Sequence, residues 1–150
     1  MDGIALATSE LPLDFIDQHD LHKQLHERGG QQEIRFLRRT HRPKLPVYYD
    51  GQLLLATWGS TFPNLPRGGF TWQSTVETGG WSRYHGESVV IPASVGLHNG
   101  VWYRVRQGVS GVLVCTNEVK AVYVVVRPST YYYKIMTRGA RMPVLVGEVI

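Results

Sequence analysis

The segment PVYYDGQLLLATW, residues 46 to 58, carries the strongest structural signal in the chain. Two apolar runs flank Asp50-Gly51, a residue pair that favours the tight two-residue turn of a β-hairpin. We therefore predict two antiparallel strands joined at Asp50-Gly51. Because these strands are rich in Val, Tyr and Leu, the segment also indicates a chain built mainly from β structure.

Strand-like segments continue to the end of the chain. VWYRVR, residues 101 to 106, alternates as a half-buried strand does, whereas GVLVC and AVYVVV are uniformly apolar and are expected to lie deep in a sheet. The predicted strands after the hairpin are Ser88 to Ile91, Val101 to Arg106, Gly111 to Thr116, Val119 to Val126, Tyr131 to Met136 and Val144 to Ile150. The fold class that follows is α+β, mostly β, with few helices.

Residues 1 to 44 are polar and charged and show no strand-like run. We predict that they form a helical and basic N-terminal arm, and that residues 45 to 150 form the β-rich body of the same single domain. A helix is predicted from Ser9 to Arg28, with Gly29-Gly30 as its stop.

Three histidines of that predicted helix, His19, His22 and His26, recur at helical spacing and would share one face. Such a face could hold a transition metal, but no cysteine accompanies the histidines and no fourth ligand is spaced to close a site. An exposed polar face is therefore the preferred interpretation, and the sequence predicts neither a metal nor a cofactor.

The composition fits one folded domain in a reducing compartment. The chain has 150 residues, of which 43% are hydrophobic, enough to bury a single core. Cys115, the lone cysteine, lies in an apolar strand, which predicts a buried and unreactive thiol. The longest apolar run, Ala121 to Val126, is far too short to cross a bilayer. Without a recognisable signal sequence, we expect a cytoplasmic protein and no membrane partner.

Positive charge is concentrated in one segment. The formal net charge is +4, and the stretch RFLRRTHRPK contributes Arg35, Arg38, Arg39, Arg42 and Lys44. Clustered Arg and Lys side chains suit phosphate backbones, because binding releases condensed counterions. A solvated basic linker is the alternative that the sequence leaves open.

Five short motifs occur in order along the chain: PVYYDGQLLLATWG, QSTVET, VVIPASVG, VLVCTNEV and RMPVLV. Over about residues 45 to 147 their order and spacing resemble the SRAP family, the SOS response-associated peptidase proteins that sense abasic sites in DNA. Members run through a strand ending in Trp-Gly, an Asn-Ala-Arg-Ala-Glu-Thr segment, and a Pro-Ala strand followed by Gly-aromatic-Tyr-Glu-Trp. A Leu-Thr-Thr strand and a His-x-Arg-Met-Pro motif close the series.

The resemblance implies a partly open β-barrel whose groove admits single-stranded DNA. In the family, a cysteine exposed by removal of the initiator methionine attacks the aldehyde of an abasic site. Its amine and thiol close a stable ring that links the protein to DNA. Asparagine, glutamate and histidine near that cysteine position the sugar and move protons, while arginines hold phosphates and a tryptophan packs on a base.

This chain departs from the family where the chemistry is expected. Asp2 stands in place of the cysteine, and a carboxylate cannot form the ring. In QSTVET, Gln73 replaces the asparagine and Thr75 the arginine, whereas Glu77 is retained along with the final threonine.

Two further substitutions affect proton transfer. Asn99 stands where the glutamate is expected and Gly139 where the histidine is expected, although Arg141 and the Met-Pro after it are retained. Neither asparagine nor glycine can exchange protons near neutral pH. The resemblance therefore implies a degenerate member with no catalytic residues, which does not form the covalent link.

Residues suited to non-covalent DNA binding remain in the sequence. Trp58, before Gly59, and Trp72 are candidates for stacking on unpaired bases, with core packing as the alternative. Arg67, Arg83 and Arg141 are candidate phosphate contacts alongside the basic segment, and an ion pair is the alternative for Arg141.

The sequence thus predicts a protein that binds single-stranded or damaged DNA without crosslinking to it. The alternative is a protein-interaction or regulatory module that keeps the fold, of the kind that a phage or other mobile element encodes. An enzyme that uses His98 or the predicted histidine helix is a third interpretation, since no other catalytic motif is recognisable.

Overall fold

The computed structural model describes all 150 residues and is mostly β, as predicted. In chain order the elements are β1 (Gly3–Ala7), α1 (Phe15–Gln18), β2 (Leu25–Arg28), β3 (Gln31–Leu37), β4 (Lys44–Tyr49), β5 (Gln52–Trp58), β6 (Phe70–Trp72), α2 (Gln73–Glu77), β7 (Glu87–Ile91), β8 (Val95–His98), β9 (Val101–Arg104), β10 (Val109–Cys115), β11 (Lys120–Pro128), α3 (Tyr131–Thr137) and β12 (Arg141–Pro143). Short 3-10 turns cover Thr8–Glu10, His22–Gln24 and Ser82–Tyr84. No helix has the length and apolar character needed to span a bilayer.

The first sheet joins the N-terminal segment to residues 95 to 104. Its strand order is β2-β3-β1-β8-β9, and every neighbouring pair is antiparallel. β1 lies between β3 and β8, so residues 3 to 7 are paired on both edges. Since residues before and after position 44 share this sheet, the predicted boundary between an arm and a body does not divide the structure.

The second sheet closes into a five-stranded barrel. The order is β10-β7-β4-β5-β11, and β10 pairs with β11 to complete the ring. β6 and β12 are added along β11, the former parallel and the latter antiparallel. The prediction of a partly open barrel is therefore wrong, because every strand of the ring has two hydrogen-bonded neighbours.

Alternation along β11 connects the two sheets through one core. Val122, Val124 and Val126 are buried in a cluster that also contains Ile4 and Phe36 of the first sheet. The intervening residues of β11 face a smaller cluster beneath Leu65 and Trp81. Each fully buried side chain of this size stabilises the fold by about 1.5 to 3 kcal/mol.

The predicted hairpin is confirmed. Tyr49 pairs with Gln52, and the two turn residues between them, Asp50 and Gly51, have φ angles of 53° and 76°. Two consecutive residues with positive φ define the type I′ turn that matches the twist of paired strands. The predicted strands that correspond to β7, β9, β10 and β11 are confirmed as well.

The predicted N-terminal helical arm is wrong. β1 and β3 place Ile4 and Leu6 opposite Phe36 and Ile34, and the burial of these side chains outweighs the polar character of the flanking sequence. The segment predicted as a helix contains only α1 and two short 3-10 turns, and it ends in β2.

The histidine face disappears with that helix. His19 follows α1, His22 lies in a 3-10 turn and His26 lies in β2, so the three side chains belong to different elements. His19 packs against the Phe15 ring, and His22 Nε2 is 2.8 Å from a carboxylate oxygen of Asp17. No group of three or more His, Cys, Asp or Glu side chains is arranged to hold a metal ion.

Two predicted C-terminal strands are also wrong. Tyr131 to Thr137 form α3, because Pro128 ends β11 and the Thr130 hydroxyl caps the helix by accepting a hydrogen bond from the Tyr133 N–H at 3.2 Å. After β12 the chain from 144 to 150 forms no strand, and Leu145 makes an isolated bridge to Val109.

Cys115 differs from its predicted environment. It is the last residue of β10 and is exposed, because the apolar run of that strand ends one residue earlier. Partial desolvation raises the pKa of the Cys115 thiol. The charge of Lys120 opposes this shift, and the nearby carboxylate of Glu87 adds to it.

Candidate functional site

A cluster of polar groups lies where β1, β8, β9, α3 and β12 meet. We call it the His98 cluster: Met1, Asp2, His98, Tyr103, Tyr133 and Arg141. His98 Nδ1 is 2.7 Å from the hydroxyl oxygen of Tyr133, and this oxygen is 3.2 Å from that of Tyr103. His98, Tyr103 and Tyr133 are all buried. Buried polar groups in a connected chain of this kind hold one another in fixed orientations.

Gly139 determines the position of the His98 ring. A Cβ atom at residue 139 would lie 2.3 Å from His98 Cε1 and 2.7 Å from Nε2, closer than real atoms approach. The imidazole thus occupies the space that any side chain at 139 would need. Residue 139, where the sequence analysis expected a histidine, is a glycine, and the imidazole beside it comes from β8.

Burial sets the protonation states within the His98 cluster. It lowers the pKa of His98 below the ordinary 6.5, and the Met1 amine and Arg141 act in the same direction, while Asp2 opposes them. Burial likewise lowers the pKa of the Met1 α-amine to about 6 and raises that of Tyr133 to about 12. Near neutral pH the imidazole is therefore uncharged and both tyrosines keep their protons.

Asp2 and Asn99 connect the cluster to the surrounding backbone. An Asp2 carboxylate oxygen accepts a hydrogen bond from the Asn99 N–H at 2.7 Å, and the Asn99 side chain donates to the Thr137 carbonyl at 2.9 Å. Asn99 and Gly100 form the two-residue turn between β8 and β9, with φ angles of 48° and 79°. Asp2, Asn99 and Gly139, separated by up to 137 positions in the sequence numbering, are thus brought to one place.

An aromatic row flanked by arginines lies next to this cluster. We define it as Arg38, Trp58, Phe70 and Arg141. The Arg38 guanidinium lies 5.6 Å from the Trp58 ring centre, the Trp58 and Phe70 rings meet edge to face at 5.8 Å, and the Arg141 guanidinium lies 4.6 Å from the Phe70 ring centre. The charge of Arg141 also lowers the pKa of His98 and of the Met1 amine, so the row adjoins the His98 cluster.

The two tryptophans predicted to stack on bases have different environments. Trp58 is only 2% exposed, and its Nε1–H donates to the Gly69 carbonyl at 3.0 Å, so it packs in the core and offers no free face to a base. Trp72 is 44% exposed. It lies two residues after Phe70 in β6 and therefore on the same face of that strand.

The basic segment is divided by the end of β3. Arg35 points away from the site, where it pairs with Glu33 at 2.9 Å and lies over the Trp102 ring. The following turn is fixed at both ends, since the Arg38 N–H donates to the Asp2 carbonyl and the Trp58 N–H donates to the Pro43 carbonyl, each at 2.8 Å. We call residues 38 to 43 the basic turn. Arg39 and Arg42 are exposed on it.

Other predicted site residues lie elsewhere. Gln73 and Glu77 of α2 line a separate open pocket of about 460 Å³, and Thr75 on the same helix is exposed. Arg83 packs over the Tyr84 ring at 4.8 Å, and Arg67 is exposed in the loop between β5 and β6. None of these five side chains hydrogen-bonds to the His98 cluster.

Tyr103, Tyr133 and Phe70 were not identified from the sequence. The dipeptide Asn99-Gly100 was the signal available for β8, since it favours a type I′ hairpin as strongly as Asp50-Gly51 does. Recognising it would have placed His98 at a strand end and Tyr103 on the facing strand. No local pattern indicates that Tyr133 faces them.

The chain matches no protein-family model, no curated protein and no solved structure at a significant level.

Proposed function

We propose that the protein binds single-stranded or damaged DNA without a covalent link, as a degenerate relative of the SRAP proteins. The observation that carries this proposal is the meeting of the basic turn and Arg141 on one aromatic row. The family relationship is part of the proposal and is supported by the order of the five sequence motifs.

Unpaired cations support a polyanionic ligand. The ion pairs of the protein involve Arg28, Arg35 and His22, so Arg38, Arg39, Arg42 and Arg141 have no carboxylate partner. Guanidinium groups suit phosphate because they donate two parallel hydrogen bonds to its oxygens. The basic turn is also held by backbone hydrogen bonds at both ends, so its backbone loses little conformational entropy on binding.

Aromatic groups beside these cations support an unpaired strand over a duplex. Trp72 has an exposed ring on the same face of β6 as Phe70, and the Arg141 guanidinium lies over the Phe70 ring. Stacking of one base on such a ring contributes about 1 to 3 kcal/mol, and stacking requires a base that is free of its complement.

The absence of a covalent step follows from the groups present. The Asp2 carboxylate occupies the predicted nucleophile position and is engaged by Asn99. The only thiol, Cys115, lies at the end of β10, where it takes no part in the His98 cluster. A denaturing gel after incubation with abasic DNA should show no shifted band, and a persistent band would contradict this part of the proposal.

Fluorescence anisotropy with a labelled oligo(dT) at low salt tests the binding. We expect saturable binding by the wild type and a loss of about tenfold or more for the charge-reversed variant Arg39→Glu/Arg42→Glu. The matched control is Arg104→Glu/Arg106→Glu, which reverses the same charge at exposed positions on and just after β9, the far edge strand of the first sheet. Absence of binding by the wild type, or equal losses in both variants, would refute the proposal.

A second function is favoured by one specific surface. On α3, Tyr131, Tyr132 and Ile135 are 82%, 64% and 62% exposed, whereas Tyr133 and Thr137 on the opposite face are buried. Exposed apolar groups that are adjacent to one another often mark protein interfaces. A protein-interaction module would show self-association or a stable partner that is lost in Tyr132→Ser/Ile135→Ser and is unaffected by added oligo(dT).

A further inference from the structure

We infer that the His98 cluster is a seat for one phosphate group, with His98 Nε2 and the Arg141 guanidinium as its donors. The inference rests on the proposed function to the extent that the phosphate belongs to a bound strand. It assigns His98 a role in ligand binding, and not only a role as a buried polar residue of the fold.

The free nitrogen of His98 faces solvent. Nδ1 is engaged by Tyr133, whereas Nε2 makes no hydrogen bond or ion pair with the protein. No fully buried side-chain nitrogen or oxygen of the chain lacks a hydrogen-bond partner, so Nε2 is in contact with solvent. An otherwise buried ring thus presents one nitrogen to solvent beside Gly139, and Arg141 follows Gly139 by two residues as the first residue of β12.

The tyrosine chain can accommodate a protonated ring. When the imidazole gains a proton, Nδ1–H donates to the Tyr133 oxygen, and the Tyr133 hydroxyl turns its own proton toward Tyr103. Nε2–H is then the donor that remains for an anion. In either state His98 Nδ1 and the two hydroxyl oxygens each keep a hydrogen-bond partner within the chain.

The charged groups around the His98 imidazole favour binding of an anion. The groups that face it are the Met1 amine and Asp2 from the N-terminal segment, Tyr103 from β9, Tyr133 from α3 and Arg141 from β12. Asp2 already accepts a hydrogen bond from the Asn99 N–H, and no carboxylate pairs with Arg141. A bound phosphate would offset the positive charge and stabilise the imidazolium, so binding takes up a proton.

The linkage has a definite sign. In the free protein the pKa of His98 is below 6.5, and a bound phosphate raises it. The affinity for phosphate therefore increases as pH falls through the pKa that His98 has in the bound protein. It levels off below the pKa that His98 has in the free protein. Uptake of one proton corresponds to at most about a tenfold change in affinity per pH unit.

Oligo(dT) anisotropy from about pH 8 down to about pH 5 tests this linkage. We expect the wild type to bind more tightly as pH falls and His98→Gln to show a flatter profile. The Met1 amine titrates in both proteins, so the difference between the two profiles isolates His98. Parallel profiles would overturn the inference, and thermal unfolding of His98→Gln establishes that the variant is folded.

NMR titration of the His98 ring protons in the wild type provides a test that needs no variant and no DNA. We expect inorganic phosphate to raise the pKa of the imidazole, and an unchanged pKa would overturn the seat. If phosphate raises this pKa but no oligonucleotide binds at low salt, the seat stands and the proposed function fails. If DNA binds with parallel pH profiles and phosphate leaves the pKa unchanged, the seat alone fails.

Discussion

At the scale of single residues, the contact between Gly139 and His98 has the clearest consequence. Gly139 is needed because an imidazole from another strand occupies the position of its side chain. The two residues should therefore act as a unit under mutation, since neither can change size without affecting the other.

Gly139→Ala tests this coupling. The new Cβ would meet the His98 ring, so we expect the free energy of unfolding to fall by about 1 to 3 kcal/mol, as is typical of overpacking. In a His98→Ala background the same substitution should be nearly neutral, because the ring is gone. Urea unfolding of the two single variants and the double variant gives the interaction energy, and additive effects would contradict the contact.

Glu33 provides a second residue-scale expectation, on the outer face of the first sheet. Burial alone would raise its pKa, but hydrogen bonds and charge from Arg28 and Arg35 lower it below the ordinary value of 4.5. A lowered carboxylate pKa contributes stability above the unfolded-state pKa, and this contribution is lost as pH falls through the folded-state value.

Glu33→Gln should therefore be less stable than the wild type near neutral pH. The difference should shrink as pH falls below about 4.5, where the wild-type carboxylate takes up a proton. Thermal unfolding of the wild type and of Glu33→Gln across this pH range measures the stability difference and its dependence on pH. A difference that does not change with pH would show that the charge of Glu33 is unimportant.

At the scale of elements, two type I′ hairpins offer a matched comparison. Gly51 and Gly100 both have φ near +80°, and a Cβ at either position would meet no atom within 4 Å. Gly51 connects β4 to β5 in the barrel, whereas Gly100 connects β8 to β9 beside His98 and Asp2. The backbone cost of replacing them should be alike, but only one turn adjoins the site.

Gly51→Ala and Gly100→Ala should each lower stability by about 1 kcal/mol, because alanine resists positive φ. Binding of oligo(dT) should weaken only in Gly100→Ala, since the Asn99-Gly100 turn fixes the last residue of β8. Thermal unfolding and anisotropy on the same samples separate the two effects. Equal binding by both variants would argue against a role for this hairpin.

Predictability from the sequence also varied by element. The β4–β5 hairpin and the β10 and β11 strands were predictable because their signals are local: a turn dipeptide in one case and unbroken apolar runs in the other. α3 was not, since three consecutive tyrosines favour a strand and the Thr130 cap decides otherwise. β1 was missed because GIALA is stabilised by partners 26 to 94 positions away, as in Ala7 with Glu33 and Gly3 with Leu97.

At the scale of the whole molecule, charge is distributed unevenly between two faces. The outer face of the first sheet holds ion-paired Arg28 and Arg35 over Trp102, whereas the side of the basic turn and Arg141 carries unpaired guanidinium groups.

The candidate site could be predicted from the sequence only in part. The basic segment and Arg141 were visible in the sequence, but the buried cluster joins residues from four elements and from the segment before β1, and no spacing rule connects them.

The salt dependence of DNA binding is the expectation that belongs to this scale. If Arg38, Arg39, Arg42 and Arg141 each neutralise one phosphate, the logarithm of the affinity should fall with the logarithm of salt concentration with a slope of about −3. Arg39→Glu/Arg42→Glu should reduce the slope by at least about 1.4. Anisotropy at several salt concentrations measures it, and a slope near zero would contradict an electrostatic interface.

The place of β1 between β3 and β8 has a consequence for biosynthesis. A ribosome releases the first strand early, but its second neighbour is encoded more than 80 residues later, and Arg141 later still. Nascent chains that end before β8 would thus leave β1 with one unpaired edge and no assembled site. Ligand affinity should therefore appear only after β8 and β12 have been synthesised, so that shorter nascent chains do not compete for the ligand.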